Sequence, residues 1–194
     1  MSDFMRLCHP NPESSVLDVG VLAVESYEAA NLFLGDYPYP RSLTALGIED
    51  CHELRIKYPF VEFVNYDGKR FPFADKSFAV CHSNAVVEHV GDAQRQRLFV
   101  SEMVRVARSG FFTTPNRWFP VELHTKIPLL HYLPWSWFVR ICRLLRREKD
   151  VRGVRLLSRR QVMGLMESMP VSFYELLENR VLGLTVTYSV YWIE

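Results

Sequence analysis

Short apolar runs alternate with amphipathic stretches over the first 115 residues, and this alternation limits the folds open to the chain more than any other feature. Ser15-Val16-Leu17-Asp18-Val19-Gly20, Leu43 to Ile48, Val61 to Tyr66, Phe78 to Ser83 and Gly110 to Thr114 each read as a short buried strand. Most end on a breaker: Gly20, the acidic Glu49-Asp50, Asp67-Gly68 and Pro115. Helices fit between them at Glu25–Leu34, ending at Gly35, and at Asp50–Lys57. The clearest is Asp92–Ala107. There Leu98, Phe99, Met103, Val106 and Ala107 recur at helical spacing, and Asp92 supplies a carboxylate for the first free backbone N–H groups. Two β-rich runs close the chain, Val171–Leu177 and Thr185–Ile193, near enough to pair antiparallel at a sheet edge. The expected fold is α/β, a Rossmann-like doubly wound and mostly parallel sheet with an antiparallel edge hairpin at the C-terminus. One domain is expected over 1–194, carrying an insertion at about 115–160 that is rich first in proline and tryptophan and then in arginine.

Composition excludes several classes. The chain has 194 residues, 48% hydrophobic and 23% charged, which is globular rather than disordered or coiled-coil and enough for a sizeable core. Its net charge of +1 hides an asymmetry, because residues 140–160 hold nine basic side chains against Glu148 and Asp150 on an otherwise mildly acidic body. Cys8, Cys51, Cys81 and Cys142 form no CxxC pair, which argues against a zinc ribbon or a disulfide framework and for a reducing compartment. The N-terminus lacks a basic start and apolar run, and the most apolar tract, Val181–Ile193, is short of a membrane span. The expected location is cytoplasmic, with a peripheral membrane location open through the basic segment.

In an open α/β sheet, ligands bind beyond the C-terminal ends of the strands. That directs attention to Asp18–Gly20, Gly47–Asp50, Asn65–Gly68, His82–Val86 and Thr113–Trp118. Here the chain resembles the class I S-adenosylmethionine-dependent methyltransferases, in their type-11-like branch, over roughly residues 14–125. The resemblance rests on Val16-Leu17-Asp18-Val19-Gly20, on Asp67-Gly68-Lys69-Arg70-Phe71-Pro72-Phe73-Ala74-Asp75-Lys76-Ser77-Phe78, on Ser83-Asn84-Ala85-Val86-Val87-Glu88-His89-Val90, and on Glu102-Met103-Val104-Arg105-Val106-Ala107. It departs from the family after Gly20. Further glycines are usual there, and this chain reads Val21-Leu22-Ala23-Val24-Glu25-Ser26. Without them the loop cannot freely take positive φ or let a ligand press on its backbone.

The resemblance implies S-adenosylmethionine as cofactor and a set of roles. Asp18 and Gly20 would meet its methionine part, or they merely end a strand. The acid that grips the ribose hydroxyls aligns with Gly47, so Glu49 and Asp50 stand as substitutes, or they open the next helix at its positive end. Asp67 would accept from the adenine amino group beside a Gly68 backbone contact; the alternative is a plain Asp-Gly turn. Ser83, Asn84 and Val86 would line the cofactor. His89 would orient the acceptor or remove its proton, or it is a packed histidine. Asn116, Arg117, Trp118 and Glu122 would bind the acceptor, with His124 as a second candidate base, or the loop is pinned by its own contacts. Glu122 and His124, two apart, allow a weak metal reading, but two ligands at that spacing are common by chance and no metal site is expected.

Within the segment Trp135–Arg147, a basic amphipathic helix is expected near Trp137 to Arg147, with an apolar stripe of Phe138, Ile141, Leu144 and Leu145. An anionic membrane surface, a lid packed on the domain with solvated arginines, and, least favoured, nucleic acid are its three readings. The expected function is methyl transfer to a small-molecule or lipid-linked acceptor. The alternative is a non-catalytic binding or scaffold protein of the same fold with weakened cofactor binding.

Overall fold

The computed structural model describes residues 1–23, 31–121, 123, 125–147 and 153–194, with Trp135 described by its backbone alone. Seven strands form one sheet: β1 (Val16–Val19), β2 (Leu43–Gly47), β3 (Glu62–Asn65), β4 (Phe78–Asn84), β5 (Ala107–Pro115), β6 (Phe173–Val181) and β7 (Leu184–Ile193). Their order is β3-β2-β1-β4-β5-β7-β6. The first five are parallel, and β7 runs antiparallel to both β5 and β6. The expected sheet and its C-terminal hairpin are both present, and strand order reverses between β1 and β4, where a crevice opens in such sheets.

Helices cover both faces. α4 (Ala93–Val106) is capped by Asp92, whose carboxylate accepts from the Arg95 N–H at 3.0 Å. It runs straight into β5. The break is enforced by Lys76, whose ammonium donates to the Val104 and Ala107 carbonyls at 3.1 and 3.3 Å and so satisfies the helix C-terminus. α4 buries Phe99, Val100, Met103, Val104 and Val106, while Leu98, expected on the same buried face, is instead 49% exposed. These residues join Leu17, Cys81, Phe112, Val190 and Trp192 in the larger core.

Two helices appear that periodicity did not reveal. α1 (Ser2–Cys8) buries Phe4, and α6 (Arg159–Glu167) buries Val162 and Met166. The core on the opposite face holds Phe4, Phe33, Tyr37, Val80 and Phe111, covered by α1, α2 (Leu32–Asp36) and α3 (His52–Lys57). α2 runs through Gly35 rather than stopping at it; residues 25–30 of the expected helix lie outside the described residues.

α5 (Trp135–Leu144) buries Phe138 and Cys142 against Leu130 in a third, separate cluster. Its expected apolar stripe is therefore rotated, with Leu144 and Leu145 facing outward. All four cysteines are free thiols. Among the described residues no helix is long and apolar enough to cross a membrane.

Gly110 is directly opposite Trp192 in the β5–β7 pair. A Cβ on Gly110 would stand 2.2 Å from the buried indole and 2.6 Å from the Cys81 carbonyl. Gly110→Ala should cost about 2–3 kcal/mol in urea unfolding, the range of core overpacking. A loss under about 0.5 kcal/mol would show that the indole is free to move.

Candidate active site

The loop after β3 is held by one cation. The Arg105 guanidinium, at the end of α4, donates to both Glu102 oxygens at 2.7 and 2.6 Å and to the Phe73 and Phe71 carbonyls at 2.8 and 3.1 Å. A further bond of 2.8 Å reaches Asp75. Glu102 in turn accepts the Phe71 N–H at 2.8 Å. Burial pushes the Glu102 carboxyl up, but bonds from Arg105 and Phe71 and the charges of Arg105 and Arg70 outweigh it, so its pKa lies below the usual value. The connection from Tyr66 to Ser77 is thereby pinned to α4.

Between that connection and α4 lies a cleft of about 210 Å³. Tyr66, Asp67, Gly68 and Lys69 form one wall, and Val90, Arg95, Leu98 and Phe99 form the other. Asp67 is exposed, and one of its oxygens accepts the Lys69 N–H at 3.0 Å. Gly68 takes φ +78°, which bends the chain round the cleft mouth. The Tyr66 hydroxyl is pushed up to about 12 by burial and, less, by the Asp67 carboxylate. This also explains Leu98, which faces the cleft instead of the core. Sequence reasoning gave roles to Asp67 and Gly68 here, included Tyr66 only as part of the strand end, and did not see the helical wall, whose signal was the placement of Leu98 and Phe99 inside α4. A larger depression of about 430 Å³ is lined by Arg159, Arg160, Met163 and Glu167. All four lie on α6, so it lacks a second wall.

Inward along the strand ends, Asp18 does not face the crevice. Its carboxylate accepts from His82 Nδ1 at 2.7 Å, and both side chains are buried. Phe33 stacks on the imidazole at 3.8 Å, and Phe4 meets it edge-on at 5.2 Å. Ser83 is buried too, its hydroxyl donating to the Val19 carbonyl at 3.0 Å. Asn84 is exposed and accepts from Thr113 Oγ1 at 2.6 Å. Gly20 has φ +99°, and a Cβ there would stand 2.2 Å from Val86, whose isopropyl group covers it.

Glu49 and Asp50 are exposed just beyond β2. The Glu49 carbonyl accepts from the Asn65 side-chain amide, which ties the ends of β2 and β3 together.

At the other end of the crevice, His89 is exposed on the turn Val87–His89 after β4. The preceding Glu88 is fully buried and accepts from Thr114 Oγ1 at 3.0 Å. Asn116 is also buried. It donates to the Thr185 carbonyl at 2.8 Å and accepts from Trp118 N–H and Tyr188 OH, each at 2.9 Å, so it pins its loop to β7. Arg117 lies over the exposed Trp118 ring, 5.4 Å from its centroid. Glu122 and His124 lie outside the described residues.

Residues 40–112 match the model of a family described as a methyltransferase domain. The solved structures of similar fold include a SAM-dependent methyltransferase from Aquifex aeolicus, 15% identical, with 97% of this chain and 92% of that one covered at a TM-score of 0.54. A protein from Pyrococcus horikoshii is 14% identical, with 99% and 86% covered and a TM-score of 0.61. Geranyl diphosphate C-methyltransferase from Streptomyces coelicolor, crystallised with Mg2+, geranyl diphosphate and S-adenosyl-L-homocysteine, is 12% identical, with 100% and 76% covered and a TM-score of 0.60. No curated protein matches in sequence. The chain shares the fold of these methyltransferases along nearly its whole length, and residues 40–112 resemble a methyltransferase domain in sequence.

The residues that line the cleft suit the adenine end of S-adenosylmethionine. Asp67 offers an exposed acceptor, Gly68 an accessible backbone, and Val90, Leu98 and Phe99 an apolar wall. Toward β1 the fit is tighter, because Val86 stands on Gly20 and the carboxylate of Asp18 is held by His82.

Removing the clamp tests how the cleft is held. Arg105→Ala leaves Glu102 buried without its cation and should cost about 3 kcal/mol near neutral pH. Glu102 contributes stability above its unfolded pKa of about 4.3 and loses it as pH falls through the lower folded value. The gap between wild type and variant, followed by urea unfolding across pH, should therefore narrow in acid. A pH-independent gap would contradict the electrostatic account.

Proposed function

We propose that the chain transfers the methyl group of S-adenosylmethionine to a small-molecule or lipid-linked acceptor. The observation that carries this reading is the cleft at the end of β3, where an exposed carboxylate and a glycine face an apolar helical wall. The bound cofactor supplies an electrophilic methyl group, so the protein's contribution is mainly alignment. Asp67 and Gly68 hold the adenine, and Glu49 or Asp50 beside the β2 end takes the ribose hydroxyls. Val86 stands over Gly20, so it has to yield for the methionine chain to lie against the Gly20 backbone.

The acceptor enters between the turn bearing His89 and the loop bearing Arg117 and Trp118, which Asn116 fastens to β7. Glu122 belongs to the same acceptor segment. His89 or His124 takes the acceptor's proton where its chemistry requires one to leave.

Binding without turnover is a second reading. The Asp18–His82 bond and the covered Gly20 favour it, since both remove contacts from the methionine end.

Calorimetric titration with S-adenosylmethionine and S-adenosylhomocysteine tests the cofactor assignment. Both should bind, and Asp67→Ala should weaken each by about ten- to a hundredfold, the loss of one charge-assisted hydrogen bond. No heat at millimolar ligand would contradict the proposal. Unchanged affinity in the variant would place the cofactor elsewhere. Turnover of tritiated methyl groups into an acceptor separates enzyme from binding module.

A further inference from the structure

Two unrelated segments expose leucine at the same end of the sheet. The β6–β7 turn leaves at the edge where β5 ends, because Pro115 pairs with Thr187. The insertion carrying α5 starts at that edge too, as Asn116 is bonded to Thr185.

At the tip of the turn, Leu182 is 98% exposed and takes φ +51°, followed by Gly183 at φ +81°. Two successive positive φ values make a hairpin turn that favours Asn, Asp or Gly at both positions. A leucine there is unfavourable twice, by backbone strain and by solvent exposure. Nothing among the described residues covers it, and an apolar medium outside would.

α5 presents a matching surface. Its inner side, Phe138 and Cys142, packs on Leu130. On the opposite side helical spacing aligns Trp137 and Leu144, 60% and 82% exposed, with Arg140 and Arg143 between and beside them. Exposed Arg146 and Arg147 follow. Tryptophan and leucine for the acyl boundary, with arginines at headgroup level, is the chemistry of a helix lying on a charged bilayer.

We propose that α5 and the β6–β7 turn form a docking surface for an anionic phospholipid bilayer. Charge complementarity decides for a lipid surface of this sign, since Arg140, Arg143, Arg146 and Arg147 are all exposed along α5 and just beyond it. Nucleic acid would use the arginines and leave Leu144 and Leu182 in water. The surface lies at the strand ends where ligands enter, so docking would bring an acceptor held in the membrane to the site. The docking itself depends on no methyl transfer and is tested without it.

The full chain is co-sedimented with vesicles of phosphatidylcholine alone or mixed with phosphatidylglycerol, at rising salt. Binding is expected only to the anionic vesicles and should fall with salt. Arg140→Gln with Arg143→Gln should lower the partition coefficient about thirtyfold. Leu182→Asn should lower it about tenfold while leaving the unfolding midpoint equal or higher, because asparagine suits the turn. Equal binding to both vesicle types, binding to neither, an unchanged partition for Leu182→Asn, or preference for a short RNA duplex over anionic vesicles would each overturn the proposal.

Discussion

The contact between Arg105 and Glu102 is the constraint on which the candidate site depends. A planar guanidinium meets a carboxylate through two parallel bonds, and its remaining donors reach the backbone of the β3–β4 connection. A segment of irregular chain is thus tied to a helix by side-chain bonds. Asp67 and Gly68 lie just upstream of this clamp, and Leu98 and Phe99 lie just across the cleft from them. Lysine could not replace this arginine, because one ammonium cannot match the carboxylate fork and both carbonyls together.

A second buried polar pair shapes the other end of the crevice. Asp18 and His82 join β1 to β4 at the point where strand order reverses, inside a cage built from Phe4, Phe33 and Phe111. The pair anchors the N-terminal helix through Phe4 and turns a carboxylate at the crevice away from it. One end of the crevice is therefore open and prearranged, and the other is closed by Val86 and depleted of charge.

Much of this was legible in the sequence, for identifiable reasons. The parallel strands are short apolar runs bounded by breakers, and such runs show themselves even without helical or alternating period. The Asp67–Phe78 stretch marked the cleft through its resemblance to the methyltransferase family, since an Asp-Gly pair by itself is a common turn. α6 was legible but missed: Ser158 and Gln161 form a reciprocal capping box, whose four-residue signature stands openly in the chain. α1 was not legible, since seven residues are too few to establish a period. The fate of Asp18 was hidden for a deeper reason. Its partner lies 64 residues away, and only the β1–β4 register brings the two together. Asn116 shows the same limit, a polar residue in a candidate acceptor loop whose bonds turn out to be to β7.

The central claim is that the pinned connection and α4 together form the adenine site. A crystal structure of the chain with S-adenosylhomocysteine tests it most directly. The account predicts the purine between Asp67 and the Leu98–Phe99 wall, its amino group facing the Asp67 carboxylate. A purine bound anywhere else, or a complex in which the 66–77 connection has left α4, would contradict it.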